Sequence, residues 1–290
     1  MKKREFSQEE KERLIYDYTV LKVGQKRLAE KYHTSDRKIR EVLDKLGIVR
    51  KTVQETNINS YGINHHFFNP AQQTANMAYI LGLIASDGCI SASNNQIYIE
   101  LQRNDKEILE RVNAALENER EVKDYTNARN YDNSKVFFFS KQIKEDLKQY
   151  HLVPNKTYSS EYCYPELLEE KYFFDYLLGL FDGDGSIKTS RDWAAWQVDT
   201  SSKDVAEKIR QHLKKYDIDI NINIEKKTNI NIYRCITYKK DNLYKLYKLL
   251  YYNIPHQLFL KRKYEKFTQI LNDIVFHETD YPLSEDKKIC

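Results

Sequence analysis

The sequence has 290 residues, enough for two or three compact units, and its many aliphatic and aromatic side chains exclude an intrinsically disordered chain. No apolar run is long enough to span a membrane, and the first residues lack the apolar stretch of a signal peptide. The four cysteines lie far apart without a CxxC pair, which argues against a zinc site and a disulfide framework. We therefore expect a reducing compartment, either a bacterial or phage-infected cytoplasm or an organelle.

The net charge of +4 is unevenly placed along the chain. Residues 1–51 hold 15 Lys and Arg against 9 Asp and Glu, whereas the remaining residues hold 32 against 34. A local basic excess indicates a segment that binds phosphate, although a solvated charged helix would give the same count.

The basic N-terminal segment, residues 1–51, predicts a small all-α domain of three helices. Ser7 and Glu10 have the spacing of a capping box at the start of the first helix. Helices at 25–32 and 36–46 are separated by a short break, which is the pattern of a helix-turn-helix. Such a pair meets DNA with the start of its second helix, and an ordinary charged three-helix bundle is the alternative. The candidate DNA contacts are Thr34, Ser35, Arg37, Lys38 and Arg40.

Residues 52–75 are polar and predict a linker, which would either lie along DNA or act as a simple tether. A segment of thirteen residues then occurs twice, as AYILGLIASDGCI at 78–90 and DYLLGLFDGDGSI at 175–187. Seven positions are identical at an offset of 97 residues. Each copy is an apolar helical run that ends in Asp-Gly. The pattern after each copy predicts strands and helices in the same order, which indicates two copies of one α+β unit at 76–154 and 155–277, then a polar tail at 278–290.

The doubled segment also predicts a chemical site. Small residues four apart line one face of each helix and allow two backbones to approach closely: Gly82 with Ser86, and Gly179 with Gly183. If the helices pack with the same polarity, Asp87 and Asp184 meet at one end. Two carboxylates beside helix C-termini attract hard cations such as Mg²⁺. A single Asp-Gly would be no more than a helix-ending turn, but its duplication favours the metal site.

The segments ILGLIASDG and LLGLFDGDG resemble the two motifs of the LAGLIDADG homing endonucleases in their single-chain form. The resemblance extends to NKT at 155–157 and KRKYEKF at 261–267. It implies two pseudo-symmetric αββαββα halves that form a saddle straddling double-stranded DNA, here preceded by the helix-turn-helix domain. It also implies a monomer that acts as a pseudo-dimer and makes a site-specific double-strand break in a long, non-palindromic target, leaving short 3′ overhangs. Mg²⁺ is the implied cofactor, with Mn²⁺ as a substitute and Ca²⁺ as an ion that binds without supporting cleavage.

The resemblance assigns roles to several residues. Asp87 and Asp184 match the metal-binding acidic positions, and the carbonyl groups of Ser86 and Gly183 are further candidate ligands. The family often has a basic residue after the fourth strand of each half, and this position matches Lys141 and Lys239, with Lys240 as an alternative to Lys239. A polar catalytic position beyond the second strand of each half matches Arg103 and Thr200. The first motif departs from the family pattern at Ala85, where the second motif has Asp182.

DNA specificity is expected from outward-facing positions on the strands, because polar side chains can read base edges in a groove. Strand alternation selects the following candidates: Ser91, Ser93, Tyr98, Glu100, Gln102 and Lys123 in the first half, and Lys188, Ser190, Gln197, Asp199 and Lys226 in the second.

Two further functions remain compatible with the same scaffold. One is a non-cleaving DNA-binding regulator, and the other is a maturase that assists the splicing of an intron RNA. Regulators of this type typically lose the acidic pair, so the presence of both Asp87 and Asp184 favours the enzyme over a regulator. A maturase can retain the acids, and only an assay separates it from the enzyme. An intein origin is a weaker alternative, because the final Cys290 lacks a preceding His-Asn.

Overall fold

The structure, a computed structural model, describes residues 6–19, 23–48, 62–190 and 193–276. It separates into unit 1, which falls within residues 1–64 and also takes 117–120, and unit 2, which takes the rest of the chain. No helix in the described ranges is long and apolar enough to cross a membrane.

Unit 1 contains the three predicted helices, which are α1 (Gln8–Thr19), α2 (Gln25–Lys31) and α3 (Asp36–Lys45). Ser7 and Glu10 form the predicted capping box. The Glu10 N–H donates to the Ser7 hydroxyl at 3.1 Å, and the Ser7 N–H donates to the Glu10 carboxylate at 3.0 Å. Leu14, Leu28 and Ile39 are fully buried in one apolar core.

Unit 2 contains two halves with the predicted αββαββα order. The first half comprises α4 (Ala75–Asp87), β1 (Gly88–Ile90), β2 (Gln96–Gln102), α5 (Lys106–Ala115), β3 (Lys123–Thr126), β4 (Asp132–Phe139) and α6 (Lys141–Gln149). The second half comprises α7 (Phe173–Asp184), β5 (Gly185–Ser190), β6 (Trp193–Thr200), α8 (Lys203–Lys214), β7 (Asn221–Lys226), β8 (Asn231–Thr237) and α9 (Lys240–Leu250), and it is followed by α10 (Lys261–Phe276).

Each half builds one four-stranded antiparallel sheet, with the strand orders β1-β2-β4-β3 and β5-β6-β8-β7. The apolar side chains of β2, Ile97, Ile99 and Leu101, are buried on the face that packs against the helices. The intervening polar residues lie on the opposite face, as the alternation of the sequence predicts. The fold class predicted from the sequence is confirmed.

Helices α4 and α7 pack against each other along their length and run in the same direction. A Cβ atom at Gly82 would overlap the carbonyl oxygen of Tyr176, and one at Gly179 would overlap the carbonyl oxygen of Tyr79. Only glycine permits this approach, which explains why both helices accept a residue that weakens a helix by about 1 kcal/mol relative to alanine.

The structure describes part of the predicted linker and none of the predicted tail. Residues 49–61 and the tail at 277–290 lie outside the described residues. The part of the linker from His65 onward belongs to unit 2. Phe68 is fully buried there, and the His65 ring lies 2.8 Å from the Ser140 hydroxyl, Nδ1 to Oγ. This part of the segment is therefore packed against the first half and is not a free tether.

Candidate active site

The two motif helices bring their acidic ends together. Asp87 is the last residue of α4, and Asp184 is the last residue of α7. A Cβ atom at Gly183 would overlap the Ser86 side chain and would lie 2.6 Å from Oδ2 of Asp87. The last turns of both helices are therefore in direct contact, and the absence of a side chain at Gly183 leaves room for the first carboxylate.

The surroundings of the acidic pair disfavour two free negative charges. Burial and then the neighbouring Asp184 charge raise the pKa of Asp87 to about 7. Asp184 is more accessible to solvent than Asp87. The protein atoms around its carboxylate nevertheless displace water and so raise its pKa. Ionisation of the pair at neutral pH therefore calls for positive charge nearby.

Lys263 supplies part of that charge from within the protein. This side chain is 7% exposed, and its ammonium group donates to the carbonyls of Phe181 and Asp182 at 2.6 Å and of Gly185 at 2.7 Å. It also lies 3.3 Å from the Gly183 carbonyl oxygen. Burial lowers the pKa of Lys263 to about 8. The ammonium thus satisfies the free carbonyls at the end of α7 and is the strongest positive influence on Asp87.

Lys156 occupies the corresponding place at the end of α4. Its ammonium group donates to the carbonyl of Gly88, which is the counterpart of Gly185 at the 97-residue offset. Burial lowers the pKa of Lys156, while the carboxylate of Asp184 opposes that shift more than the carboxylate of Asp87 does. A lysine from another segment therefore lies at the end of each motif helix. Lys263 is buried at the end of α7, Lys156 is half-buried at the end of α4, and the charges of both act on the acidic pair.

Two pockets flank the helix pair, and each combines groups from both halves. The Asp87 pocket is lined by residues that include Asp87, Tyr98, Glu100, Gln102, Asp105, Asn133, Gly183 and Arg262. The Asp184 pocket is lined by residues that include Ser86, Lys156, Thr157, Tyr162, Asp184, Asp199, Thr200 and Lys227. Each acid therefore lines its own pocket.

The structure separates the two predicted polar catalytic residues. Thr200 is buried in the wall of the Asp184 pocket, where its hydroxyl accepts a hydrogen bond from the Ser202 N–H at 3.2 Å. Arg103 directs its guanidinium to Asp132 at 3.3 Å and is partly exposed.

The structure does not bring the predicted basic residues Lys141 and Lys239 to the acidic pair. Both side chains are exposed and ion-paired elsewhere, Lys141 with Glu145 at 3.6 Å and Lys239 with Asp219 at 3.3 Å. Lys156 and Lys263 are instead the lysines whose charges act on Asp87 and Asp184. Both lie in the NKT and KRKYEKF segments that resemble the family. Their separation of 107 residues departs from the 97-residue offset, so the internal repeat did not reveal them as a pair.

The candidate base-reading residues on the strands of the first half lie on one face of its sheet. Tyr98, Glu100 and Gln102 alternate with the buried residues of β2, and Glu100 and Lys123 both lie opposite Lys135 of β4. Ser91 and Ser93 lie in the loop after β1 with their hydroxyl oxygens 3.3 Å apart.

The candidates of the second half are less uniform. Lys188 and Ser190 are exposed on β5, whereas Gln197 is buried, and Asp199 is held by Arg234 at 2.8 and 2.9 Å. The assignment of Lys226 to the outward face is wrong. The register pairs Asp199 with Arg234 and Glu225 with Ile232, so Lys226, the next residue, points to the other face of the sheet.

The DNA-binding candidates of unit 1 cluster at the start of α3. Ser35 caps the helix by accepting a hydrogen bond from the Lys38 N–H, and Thr34 lies in the turn before it. Arg37 is strongly exposed and pairs with Glu41 at 3.2 Å, and Arg40 is also exposed.

The donor set at the acidic pair suits a hard cation only in part. Asp87, Asp184 and the carbonyls of the preceding residues are oxygen donors, as Mg²⁺ prefers. Among residues 6–19, 23–48, 62–190 and 193–276, no group of three or more His, Cys, Asp and Glu side chains could hold a metal ion by itself. An ion at this place would therefore need backbone, water or substrate oxygens to complete its coordination.

Comparison with known proteins identifies one family. The sequence pattern of the LAGLIDADG-like domain matches residues 74–151 and 173–251, which together make up more than half of the chain. No curated protein sequence matches.

Several solved structures are similar at low sequence identity. Full-length DUF199/WhiA from Thermatoga maritima has 15% identity and a TM-score of 0.47, with 76% of this chain and 66% of that chain covered. The chain thus spans slightly less than two thirds of that protein. The meganuclease I-AabMI bound to uncleaved DNA has 15% identity and a TM-score of 0.44, with coverage of 72% and 92%. The I-LtrWI homing endonuclease bound to target DNA has 15% identity and a TM-score of 0.46, with coverage of 73% and 92%.

Proposed function

This chain belongs to the LAGLIDADG-like family, and from that premise we propose that it is a homing endonuclease that cuts both strands of a specific DNA target. The observation that carries the proposal is the meeting of Asp87 and Asp184 at the ends of two close-packed parallel helices. A protein that only bound DNA would have no use for two adjacent carboxylates whose charges oppose each other.

The acidic pair would hold divalent cations, Mg²⁺ in the cell, together with the carbonyl groups of Ser86 and Gly183. A bound ion would supply positive charge for the scissile phosphate and for the leaving oxygen of the hydrolysis. The fit rests on the carboxylates themselves, since burial raises the pKa of both and a dication would reverse that shift.

The lysines prepare the acidic pair for this role. The ammonium groups of Lys263 and Lys156 lie at the ends of the motif helices, where they favour ionised carboxylates before any ion binds. Because each ammonium is anchored on backbone carbonyls, its position is fixed before the substrate arrives. Thr200 and Arg103 would contact the sugar–phosphate backbone or ordered water on the two sides of the site.

Double-stranded DNA would lie across the outward faces of the two sheets. In the first half these faces offer aromatic, acidic, amide and basic groups on neighbouring strands: Tyr98, Glu100, Gln102, Asn133 and Lys135. The second half offers a different set, so the two halves would read different half-sites. One chain acting as a pseudo-dimer would thus recognise a long target without palindromic symmetry and leave short 3′ overhangs.

Unit 1 would add a second DNA contact through the start of α3. Linked binding of two modules raises affinity through effective concentration. In the full chain, replacing Arg37 and Arg40 by alanine should reduce the slope of log affinity against log salt concentration by about one to two. An unchanged slope would remove unit 1 from the DNA contact.

The test is cleavage of DNA by the purified full-length protein. A plasmid library with a randomised insert of long duplex DNA is incubated with Mg²⁺, and newly formed ends are captured and sequenced. We expect one family of related sites with staggered ends, and none in the presence of a chelator. Tight and specific binding of a duplex that remains uncut in Mg²⁺ and Mn²⁺ would overturn the proposal in favour of a regulator or a maturase.

A further inference from the structure

Two segments carry the lysines into the site, and each comes after the last strand–helix unit of its half. We call residues 155–164 the Lys156 arm and residues 257–263 the Lys263 arm. The Lys263 arm belongs to the second half by sequence, but its ion pair is with the first half.

An ion pair with ideal geometry fastens the Lys263 arm. Arg262 Nε lies 2.8 and 3.0 Å from the two carboxylate oxygens of Asp105, and its Nη2 lies 2.8 Å from Oδ2. Asp105 directly precedes α5 of the first half, and its side chain is only 5% exposed. Bidentate pairs of this kind fix direction as well as distance.

Two contacts of α5 extend the same attachment. Arg111 donates to the Gln257 carbonyl at 2.6 Å, and its guanidinium lies 5.7 Å from the centre of the Phe259 ring. From the opposite side, Asp182 accepts a hydrogen bond from the Leu260 N–H at 2.7 Å. The Lys263 arm is therefore held between the first half and α7, whose last carbonyls accept hydrogen bonds from Lys263.

The Lys156 arm lacks the ionic attachment. The residue before Lys156 is Asn155 and the counterpart of Asp105 is Ser202, so these positions cannot form an ion pair. This arm is instead tied to α8 through its backbone, where the Tyr164 N–H donates to Asp204 at 2.8 Å. The two arms thus reach the same kind of position by different means.

We infer that Asp105 is a positioning residue for one of the two strand cuts, acting through Arg262 to fix the Lys263 arm beside Asp87. The inference rests on the proposed endonuclease activity. Asp105 and Arg262 both line the Asp87 pocket, and neither lines the Asp184 pocket. Loosening the Lys263 arm should therefore slow the strand that is cut at the Asp87 pocket and leave the other strand nearly unaffected.

The magnitude follows from the sensitivity of catalysis to placement. A displacement of about 1 Å at a catalytic group can cost on the order of 100-fold in rate. Lys263 keeps its own carbonyl contacts when the ion pair is lost, so we expect a smaller loss of about 10–30-fold on one strand. Asp105→Asn would consequently turn the enzyme towards nicking.

The experiment uses the full-length protein and a supercoiled plasmid that carries the target identified by the library screen. Nicked and linear products are followed in time, and an end-labelled duplex identifies the strand that is cut. Asp105→Asn is compared with Glu110→Gln, which removes an exposed carboxylate from the neighbouring helix α5. Lys263→Met and Lys156→Met identify the strand that depends on each arm.

We expect Asp105→Asn to accumulate nicked plasmid, with the slow strand being the one slowed by Lys263→Met and not the one slowed by Lys156→Met. Glu110→Gln should behave as the wild type. In a double-mutant cycle, Asp105→Asn with Arg262→Gln should slow that strand no more than the larger single effect, since both act through one contact.

Three outcomes would overturn the inference while the wild type still cuts its target. Both strands could slow equally in Asp105→Asn with the melting temperature lowered, which would mean a general structural role. Asp105→Asn could leave the cleavage rates of both strands unchanged. The effects of Asp105→Asn and Arg262→Gln on the cleavage rate could also be additive in the double variant. If the wild type cuts no site in the library, the proposed function fails first, which is a separate and recognisable result.

Discussion

The ends of α4 and α7 share a backbone geometry but differ in how their lysines are held. Lys263 is buried against the carbonyls of α7 and is carried by an arm that Arg262 and Asp105 fasten. Lys156 is half-buried and donates to the single carbonyl of Gly88. The repeated sequence therefore preserves the helix pair and the two acids, whereas the supporting side chains have diverged between the halves. A duplicated scaffold can thus keep a symmetric helix pair while the side chains around its candidate active site differ between the halves.

The packing of α4 against α7 is alike in both halves, so equivalent substitutions in the two helices should lower the free energy of unfolding equally. Gly82→Ala and Gly179→Ala each force a Cβ atom into a backbone carbonyl of the partner helix. We expect each to lower the free energy of unfolding by about 2–4 kcal/mol, measured by urea denaturation. Ser86→Ala, which adds no atom to the same interface, should cost less than about 1 kcal/mol. A large effect at only one of the two glycines would contradict the equal packing of the helices.

The two lysines at the helix ends are held differently, so replacing them should lower the free energy of unfolding by unequal amounts. Lys263→Met leaves several carbonyls at the end of α7 without a donor, and we expect a loss of stability of about 2–3 kcal/mol. Lys156→Met removes the donor from one carbonyl and should cost about 1 kcal/mol.

Exposed lysines provide the control for this comparison. Lys141→Met and Lys239→Met should change the free energy of unfolding by about 0.5 kcal/mol or less, because their ion pairs are solvated. Equal losses at Lys156 and Lys263 would show that the two arms are not distinct. A loss at Lys141 or Lys239 that matched them would restore the basic residues expected from the sequence.

A smaller difference separates the starts of the motif helices, where Asp175 corresponds to Ala78. Burial raises the pKa of Asp175 to about 6, although the Tyr252 hydroxyl donates to its carboxylate at 3.3 Å. A raised carboxyl pKa stabilises the folded state fully below the unfolded value of about 3.9, and this contribution is lost as the pH rises through about 6.

Asp175→Asn should therefore gain stability relative to the wild type by about 2–3 kcal/mol between pH 4 and pH 7.5. Thermal unfolding across that pH range measures the change. Glu207→Gln removes an exposed carboxylate that pairs with Arg210 in α8, and it should show no such trend. A difference between Asp175→Asn and the wild type that stayed constant with pH would mean that Asp175 is solvated in the native state.

Much of the fold follows from local patterns in the sequence. The Ser7–Glu10 spacing predicted the cap of α1, and both of its hydrogen bonds are present. The alternation in β2 predicted which of its side chains are buried. The small residues at Gly82 and Gly179 predicted the close helix pair, because a missing Cβ atom has few other uses in a buried helix. Each of these features is indicated by a pattern of residues that are near one another in the chain.

The supporting shell of the site depends on contacts that no local pattern reveals. Lys156 reaches a carbonyl 68 residues away, Lys263 reaches one 78 residues away, and Arg262 pairs with a carboxylate 157 residues away. Lysine suits an exposed helix start, such as Lys141, as well as it suits a buried cap, so the residue type does not distinguish the two. Lys226 was misplaced because a shift of one residue at the end of β7 reverses the face.

The most direct test of the acidic pair compares the wild type with Asp87→Asn and Asp184→Asn on the selected target in Mg²⁺. Binding of the duplex is measured in parallel, because asparagine retains the shape of the carboxylate and removes only its charge. We predict that both variants lose cleavage and bind the target as tightly as the wild type. Full cleavage by either variant would contradict the assignment of the two carboxylates to the chemistry.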